Sequence, residues 1–211
     1  MPDYKLRLWD GNSFDFDSVP FVRDAIAARK WAFAADYVRL YALYTEGGIY
    51  LDSDVEVFKR FDAFLENSYF TGTEPYIDYL GDKTLKYAIE GAIMGGEKGH
   101  PLLKDCLEYY QNATFSTDKN PTICQVMIPL LAKYGYRTVN DVQKLGEGIT
   151  VYPTEYQGEQ YCFYGHSAIH WAQGSWLKDK PQRGKLYYFC QRNKLMGVYR
   201  MLEKITKSLK R

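Results

Sequence analysis

Asp52 and Asp54 are two carboxylates separated by one residue, directly behind the apolar run Ile49-Tyr50-Leu51. Side chains alternate between faces along a strand, so residues two apart point the same way and Ser53 points the other. Two carboxylates on one side of a strand end make a poor core and a good seat for a hard divalent cation. Oxygen ligation of that kind suits Mg²⁺ or Mn²⁺ holding a phosphorylated substrate. The blander reading is a solvated turn, because D-x-D is a very short pattern. An EF-hand is excluded, since Asp52, Asp54 and Glu56 are not followed by the glycine that loop requires. Upstream, Asp36 and Arg39 are three apart and share a helix face. They form either a local ion pair or a polar pair facing a ligand, with Asp36 accepting from sugar hydroxyls and Arg39 donating to hydroxyls or phosphate.

These residues need a helix followed by a short strand. The spacing of Phe33, Tyr37, Leu40, Tyr41 and Tyr44 predicts a helix from Trp31 to Glu46, and Gly47-Gly48 predicts a left-handed C-cap. Earlier, the alternation in Tyr4–Trp9 predicts a strand. Asp17–Pro20 reads as a helix start, with Ser18 as N-cap and Pro20 in the first turn of a short helix over Phe21–Arg29. Val55–Phe58 should stay extended, Phe61–Glu66 should be a short helix, and Tyr69–Thr73 and Ala92–Gly96 should be strands. A helix is expected from His100-Pro101 to about Gln111, and another over Ile123–Lys133 with a kink or restart at Pro129. Ile149–Pro153 is a further strand, and a helical region is expected from Tyr187 onward. Helices interleave with short strands, which makes an α/β domain the natural class.

The 211 residues suffice for one sizeable core, and 46% hydrophobic with 25% charged residues is an ordinary globular balance. Twenty tyrosines offer flat faces with polar tips, useful for sugars and bases as well as for packing. The formal net charge of +1 conceals an asymmetry. Residues 178–211 hold eleven Lys or Arg against Asp179 and Glu203, so the preceding 177 residues are acidic. The division expected is a domain over 1–177 and a basic helical tail over 178–211. The tail is either a solvated helix or an interfacial helix on anionic lipid. Nucleic acid is excluded as a partner by the acidic body and the lack of a recognised module. Cys106, Cys124, Cys162 and Cys190 form no C-x-x-C pair and fit a reducing compartment. With neither a signal-peptide h-region nor a run of about 20 apolar residues, a cytoplasmic location is expected.

The run Ala34–Val55, containing Asp36, Arg39, Thr45-Glu46-Gly47-Gly48 and Asp52-Ser53-Asp54, resembles the signature of glycosyltransferase family 32, which includes capsular polysaccharide and yeast mannosyl transferases. Weaker similarity continues through Gly91–Gly95, Gly99-His100-Pro101 and Ile169-His170-Trp171 to Gly174-Ser175-Trp176. The resemblance implies a GT-A-like (Rossmann-like) mixed sheet flanked by helices, Mn²⁺ (or Mg²⁺), and retention of configuration at the transferred sugar. It assigns Asp54 to the metal, Asp52 to metal or ribose, Asp36 and Arg39 to the donor sugar, and Tyr50 to the nucleotide. It makes His170 a further metal ligand and sets Ser175 and Trp176 on the phosphates. The donor implied is a nucleotide sugar, UDP-hexose in particular. The acceptor implied is a glycan or lipid-linked glycan of surface-polysaccharide or capsule assembly, and the interfacial reading of the basic tail would place the enzyme beside it at the inner face of the membrane. His100 and His166 are expected to be structural.

Members of that family usually open with a strand, an aromatic-glycine turn and a helix before the segment matching Pro2-Asp3-Tyr4. The resemblance therefore implies that the first βα unit is missing, leaving a strand edge open to self-association. The alternative function is a truncated, non-catalytic homologue that binds metal or nucleotide sugar, or needs a partner to complete its fold.

Overall fold

In a computed structural model, residues 3–77, 85–157, 160–171, 185–192, 195, 198–199, 201–202 and 206 are described. The helix α1 covers Pro20–Ala27 and α2 covers Trp31–Glu46. They are followed by β1 (Gly48–Leu51), β2 (Val55–Val57), β3 (Tyr69–Ile77) and β4 (Leu85–Gly96). Then come α3 (Pro101–Asn112), α4 (Ile123–Ala132), β5 (Gln143–Lys144), β6 (Ile149–Tyr152), β7 (Glu155–Gln157), β8 (Gln160–Cys162), β9 (Ala168–His170) and α5 (Lys185–Arg192).

The main sheet runs β1-β4-β3-β6-β5, with β3 and β6 parallel and the other neighbours antiparallel. It is a mixed sheet in an α/β arrangement, consistent with a GT-A-like fold. Side-chain alternation sends successive residues to opposite faces. Tyr69, Met94, Ile149 and Val151 join the core under α1, α2, α3 and α4, while Phe70, Ile93 and Tyr152 join a second cluster with Phe61, Phe64 and Phe163. The helices described in these contacts thus lie on one face, and aromatic side chains from loops and small strands cover the other. Gly95 opposes Phe70 across β3 and β4, and a Cβ there would come within 2.1 Å of the ring. Only glycine admits that close approach.

Several local expectations are corrected. Tyr4–Trp9 is not a strand: it pairs with no strand among the described residues, and Leu6 and Leu8 are 94% and 76% exposed. Alternation alone does not make a strand without a neighbour to bond. The N-cap of α1 is Val19, without a side-chain bond, because Ser18 turns back to donate to the Asp15 carbonyl. Gly47 has the expected positive φ of 73°, but its ψ of −172° is extended, so the chain leaves α2 straight into β1 rather than through a left-handed cap. Phe61–Glu66 forms only a 3-10 turn, Asp62–Phe64. The α4 helix passes through Pro129 as one element, begun by a capping box between Thr122 and Gln125. The helical region expected from Tyr187 begins at Lys185, and most of the remaining tail lies outside the described residues.

Candidate functional site

The D-x-D pair lies in a turn, not in a strand. Asp52 and Asp54 sit between β1 and β2, where the Val55 N–H donates to the Asp52 carbonyl at 3.0 Å. Strand alternation therefore does not bring the carboxylates together; the turn does, with help from two remote segments. The Asp52 N–H extends the β1 ladder by donating to the Ala92 carbonyl at 2.9 Å. The strand β2 pairs with β9 so that Val55 faces His170, and the Trp171 N–H donates to the Asp54 carbonyl at 3.0 Å. The result is a group of Asp52, Asp54 and His170 whose candidate ligand atoms lie within 4.8 Å of one another. His170 Nε2 is 3.5 Å from Asp54 Oδ1. All three side chains are partly exposed.

Beneath this group lies a buried cation. Arg39 Nη2 is 3.1 Å from Asp36 Oδ1, Nη1 is 3.2 Å from Asp52 Oδ1, and Nη1 donates to the Gly91 carbonyl at 2.7 Å. Its guanidinium also stacks 4.6 Å from the centre of the Tyr50 ring, and the Tyr50 hydroxyl donates to Asp52 Oδ1. Asp36 and Arg39 thus form the local ion pair allowed by their spacing, but a buried one that also reaches the D-x-D turn. Burial pushes the Asp36 carboxyl up to about 6 despite Arg39 beside it and a hydrogen bond from the Ile123 N–H at the start of α4. Tyr50 is likewise raised, by burial first and then by Asp52.

Sequence reasoning anticipated only the last five residues of β4, Ala92–Gly96, and missed the irregular stretch before them and the carboxylates that complete the site. Thr71 pairs with Met94 and Thr73 with Ile89, so five residue steps on β4 span two on β3. This wide bulge is closed by Thr71, whose hydroxyl contacts the carbonyls of Glu90 at 2.7 Å and Ile93 at 3.1 Å. The irregular stretch of β4 leaves the Gly91 carbonyl to Arg39, while the Ala92 carbonyl stays on the β1 side and accepts the Asp52 N–H. It also buries Glu90, which accepts from the Ala92 N–H at 2.8 Å and lies 3.3 Å from His170 Nδ1. Glu74 joins Glu90 and His170 in a second group of atoms within 4.8 Å. The signal available in the sequence was one carboxylate within the apolar and small run Tyr87–Gly96. Burial lifts the Glu74 carboxyl to about 7, with Glu90 adding to it. Burial works against the charged His170 ring, yet the Glu90 hydrogen bond and the charges of Glu90, Asp54 and Glu74 outweigh it and raise the imidazole to about 9.

The other expected positions divide cleanly. His100 caps α3, accepting from the Leu102 N–H at 3.2 Å while its other nitrogen contacts the Glu147 carbonyl at 3.1 Å. His166 faces Glu155 at 3.2 Å and is not part of the Asp52, Asp54 and His170 group. Ser175 and Trp176 lie outside the described residues.

Two carboxylates and one imidazole are a donor set that can hold a divalent cation. Residues 1–71, which contain α1, α2, β1 and the D-x-D turn, match the family model described as the glycosyltransferase sugar-binding region containing DXD motif. That match supports a glycosyltransferase family. It does not single out family 32 or its capsular and mannosyl members. The chain is also similar to the Arabidopsis thaliana protein described as "Uncharacterized protein At4g19900", with 42% identity over 77 residues. The similar stretch is 36% of this chain and 10% of that protein. No helix among the described residues is long and apolar enough to cross a membrane.

Proposed function

We propose that the chain is a metal-dependent retaining glycosyltransferase that moves a hexose from a UDP-sugar to a glycan or lipid-linked glycan acceptor. The observation that carries this reading is the convergence of Asp52, Asp54 and His170, from a turn and a distant strand, beside the buried Asp36–Arg39 pair. Asp52, Asp54 and His170 would hold the ion, and the mixed oxygen and nitrogen set suits Mn²⁺ better than Mg²⁺. When bound, the ion stabilises, as a Lewis acid, the negative charge that grows on the departing nucleoside diphosphate. Arg39 fixes Asp52 from below and, with Asp36, lines the seat of the donor sugar. Tyr50 holds Asp52 through its hydroxyl and faces the nucleotide, and Ser175 and Trp176 are the residues proposed for the phosphates. A retaining transfer needs no strong protein base, because the leaving phosphate can take the acceptor's proton on the same face.

Thermal unfolding with UDP, with and without Mn²⁺, tests the site on this chain and on Asp54→Ala. A ligand that binds only the folded state raises its stability by mass action. The expected result is a rise that requires both Mn²⁺ and UDP and is lost in Asp54→Ala. Equal shifts in the two proteins would remove the site assignment.

We also propose that residues 178–211 form a unit distinct from the catalytic domain of residues 1–177 and hold it against anionic lipid at the inner face of the membrane. Supporting this, Leu186, Phe189, Val198 and Met201 are exposed apolar side chains within a segment rich in Lys and Arg. Removing residues 178–211 should abolish sedimentation with phosphatidylserine vesicles, and unchanged sedimentation would retire the idea.

A further inference from the structure

Glu90 sits at the bulge of β4 with more than nine-tenths of its surface buried, an unusual place for a carboxylate. One oxygen does two things: Oε1 accepts the Ala92 N–H at 2.8 Å and lies 3.3 Å from His170 Nδ1. The opposite ring nitrogen, Nε2, faces Asp54 Oδ1 at 3.5 Å. The imidazole is therefore held on one side by Glu90 and turned on the other toward the D-x-D turn. The Ala92 N–H fixes Glu90 in turn, and the Ala92 carbonyl is the group that fixes the Asp52 N–H. One short piece of bulged backbone thus sets the carboxylate behind His170 and one of the two aspartates in front of it.

We infer that Glu90 is a positioning residue for the metal site: it holds the Nδ1–H of His170, fixing the tautomer and ring orientation that present Nε2 to the cation beside Asp52 and Asp54. The inference rests on the metal-dependent reading of that site and adds a residue that reading did not use. A carboxylate behind a ligating histidine raises the basicity of the ring and fixes its direction, and losing it lowers metal affinity on the order of 10–100-fold. The register shift between β3 and β4 is what places Glu90 behind the ring, and it leaves the Gly91 carbonyl to Arg39. The competing arrangement is a second ion between Glu74, Glu90 and His170, whose ligand atoms also lie within 4.8 Å. In that arrangement Glu90 would be a ligand in its own right and not a support for His170 alone.

The experiment is calorimetric titration of the full chain with Mn²⁺ alone, for the unaltered protein, Glu90→Gln, Glu90→Ala, His170→Ala and Glu90→Gln/His170→Ala. The expected stoichiometry is one ion per chain. Glu90→Ala should weaken binding on the order of 10–100-fold. Glu90→Gln keeps an acceptor oxygen for the Ala92 N–H and for the ring, so it should fold normally and lose less. In the His170→Ala background, Glu90→Gln should change nothing further, because Glu90 acts only through the ring. An equal loss from Glu90→Gln in both backgrounds, or two ions per chain lost together, would overturn the inference. Failure of the unaltered protein to bind any Mn²⁺ would instead strike the metal reading itself, so the two failures are distinguishable.

Discussion

Arg39→Met is the substitution that most directly tests how the site is held together. Arg39 is only 7% exposed and lies 3.1 Å from Asp36, 3.2 Å from Asp52 and 2.7 Å from the Gly91 carbonyl. Methionine fills much of the same volume but leaves a buried carboxylate and a buried carbonyl without their partner. Removing one side of a buried ion pair costs about 3–5 kcal/mol. The lower end applies here, because Asp36 already titrates near 6 with Arg39 beside it and can take up a proton once the cation is gone. A loss of about 3 kcal/mol corresponds to a Tm lower by roughly 6–12 °C for a chain of this size. Urea unfolding followed by far-ultraviolet circular dichroism at pH 7 gives the loss directly. Asp36→Asn/Arg39→Met should be less destabilised than the sum of its single variants by about 1–3 kcal/mol, since each single change strands the other group. Strict additivity, or a loss below about 1 kcal/mol for Arg39→Met, would refute the view that this cation holds the site from beneath.

Asp36 also gives the fold a pH signature. Its folded-state value of about 6 exceeds the usual 3.8, so the folded chain holds that proton more tightly than the unfolded one. Its contribution is complete below about pH 4 and is lost as pH rises through about 6, amounting to roughly 3 kcal/mol. Asp36→Asn should flatten that stretch of the stability curve measured by urea titration, and an unchanged slope would contradict the assignment. Gly95→Ala drives a methyl into the fully buried Phe70 ring and should cost about 1–3 kcal/mol in chemical denaturation. Retention of full stability would show that the second aromatic cluster is looser than described.

The elements set by near neighbours were legible in the sequence. The α2 helix runs from Trp31 to Glu46 as its apolar period requires, and Gly47 ends it with a positive φ. The helices after His100-Pro101 and over Ile123–Ala132 were also expected, although the second runs through Pro129 without the kink or restart expected there. Strand ends were poorer, because a strand is completed by hydrogen bonds to a partner that the local sequence does not name. Tyr4–Trp9 alternates well and finds no partner strand among the described residues, whereas β4 is twelve residues long although only its last five read as a strand.

The site shows the same division. The residue types and their near spacing, Asp36 with Arg39 and Asp52 with Asp54, were fixed by the chain itself, and they sufficed to suggest a cation and a phosphorylated ligand. What brings Asp52 and Asp54 to His170 is the pairing of β2 with β9, and what turns that histidine toward them is a carboxylate raised on a bulge in β4. Those arrangements depend on register between segments far apart in sequence. Register is decided only when both faces of the sheet have packed and every backbone group has found its partner.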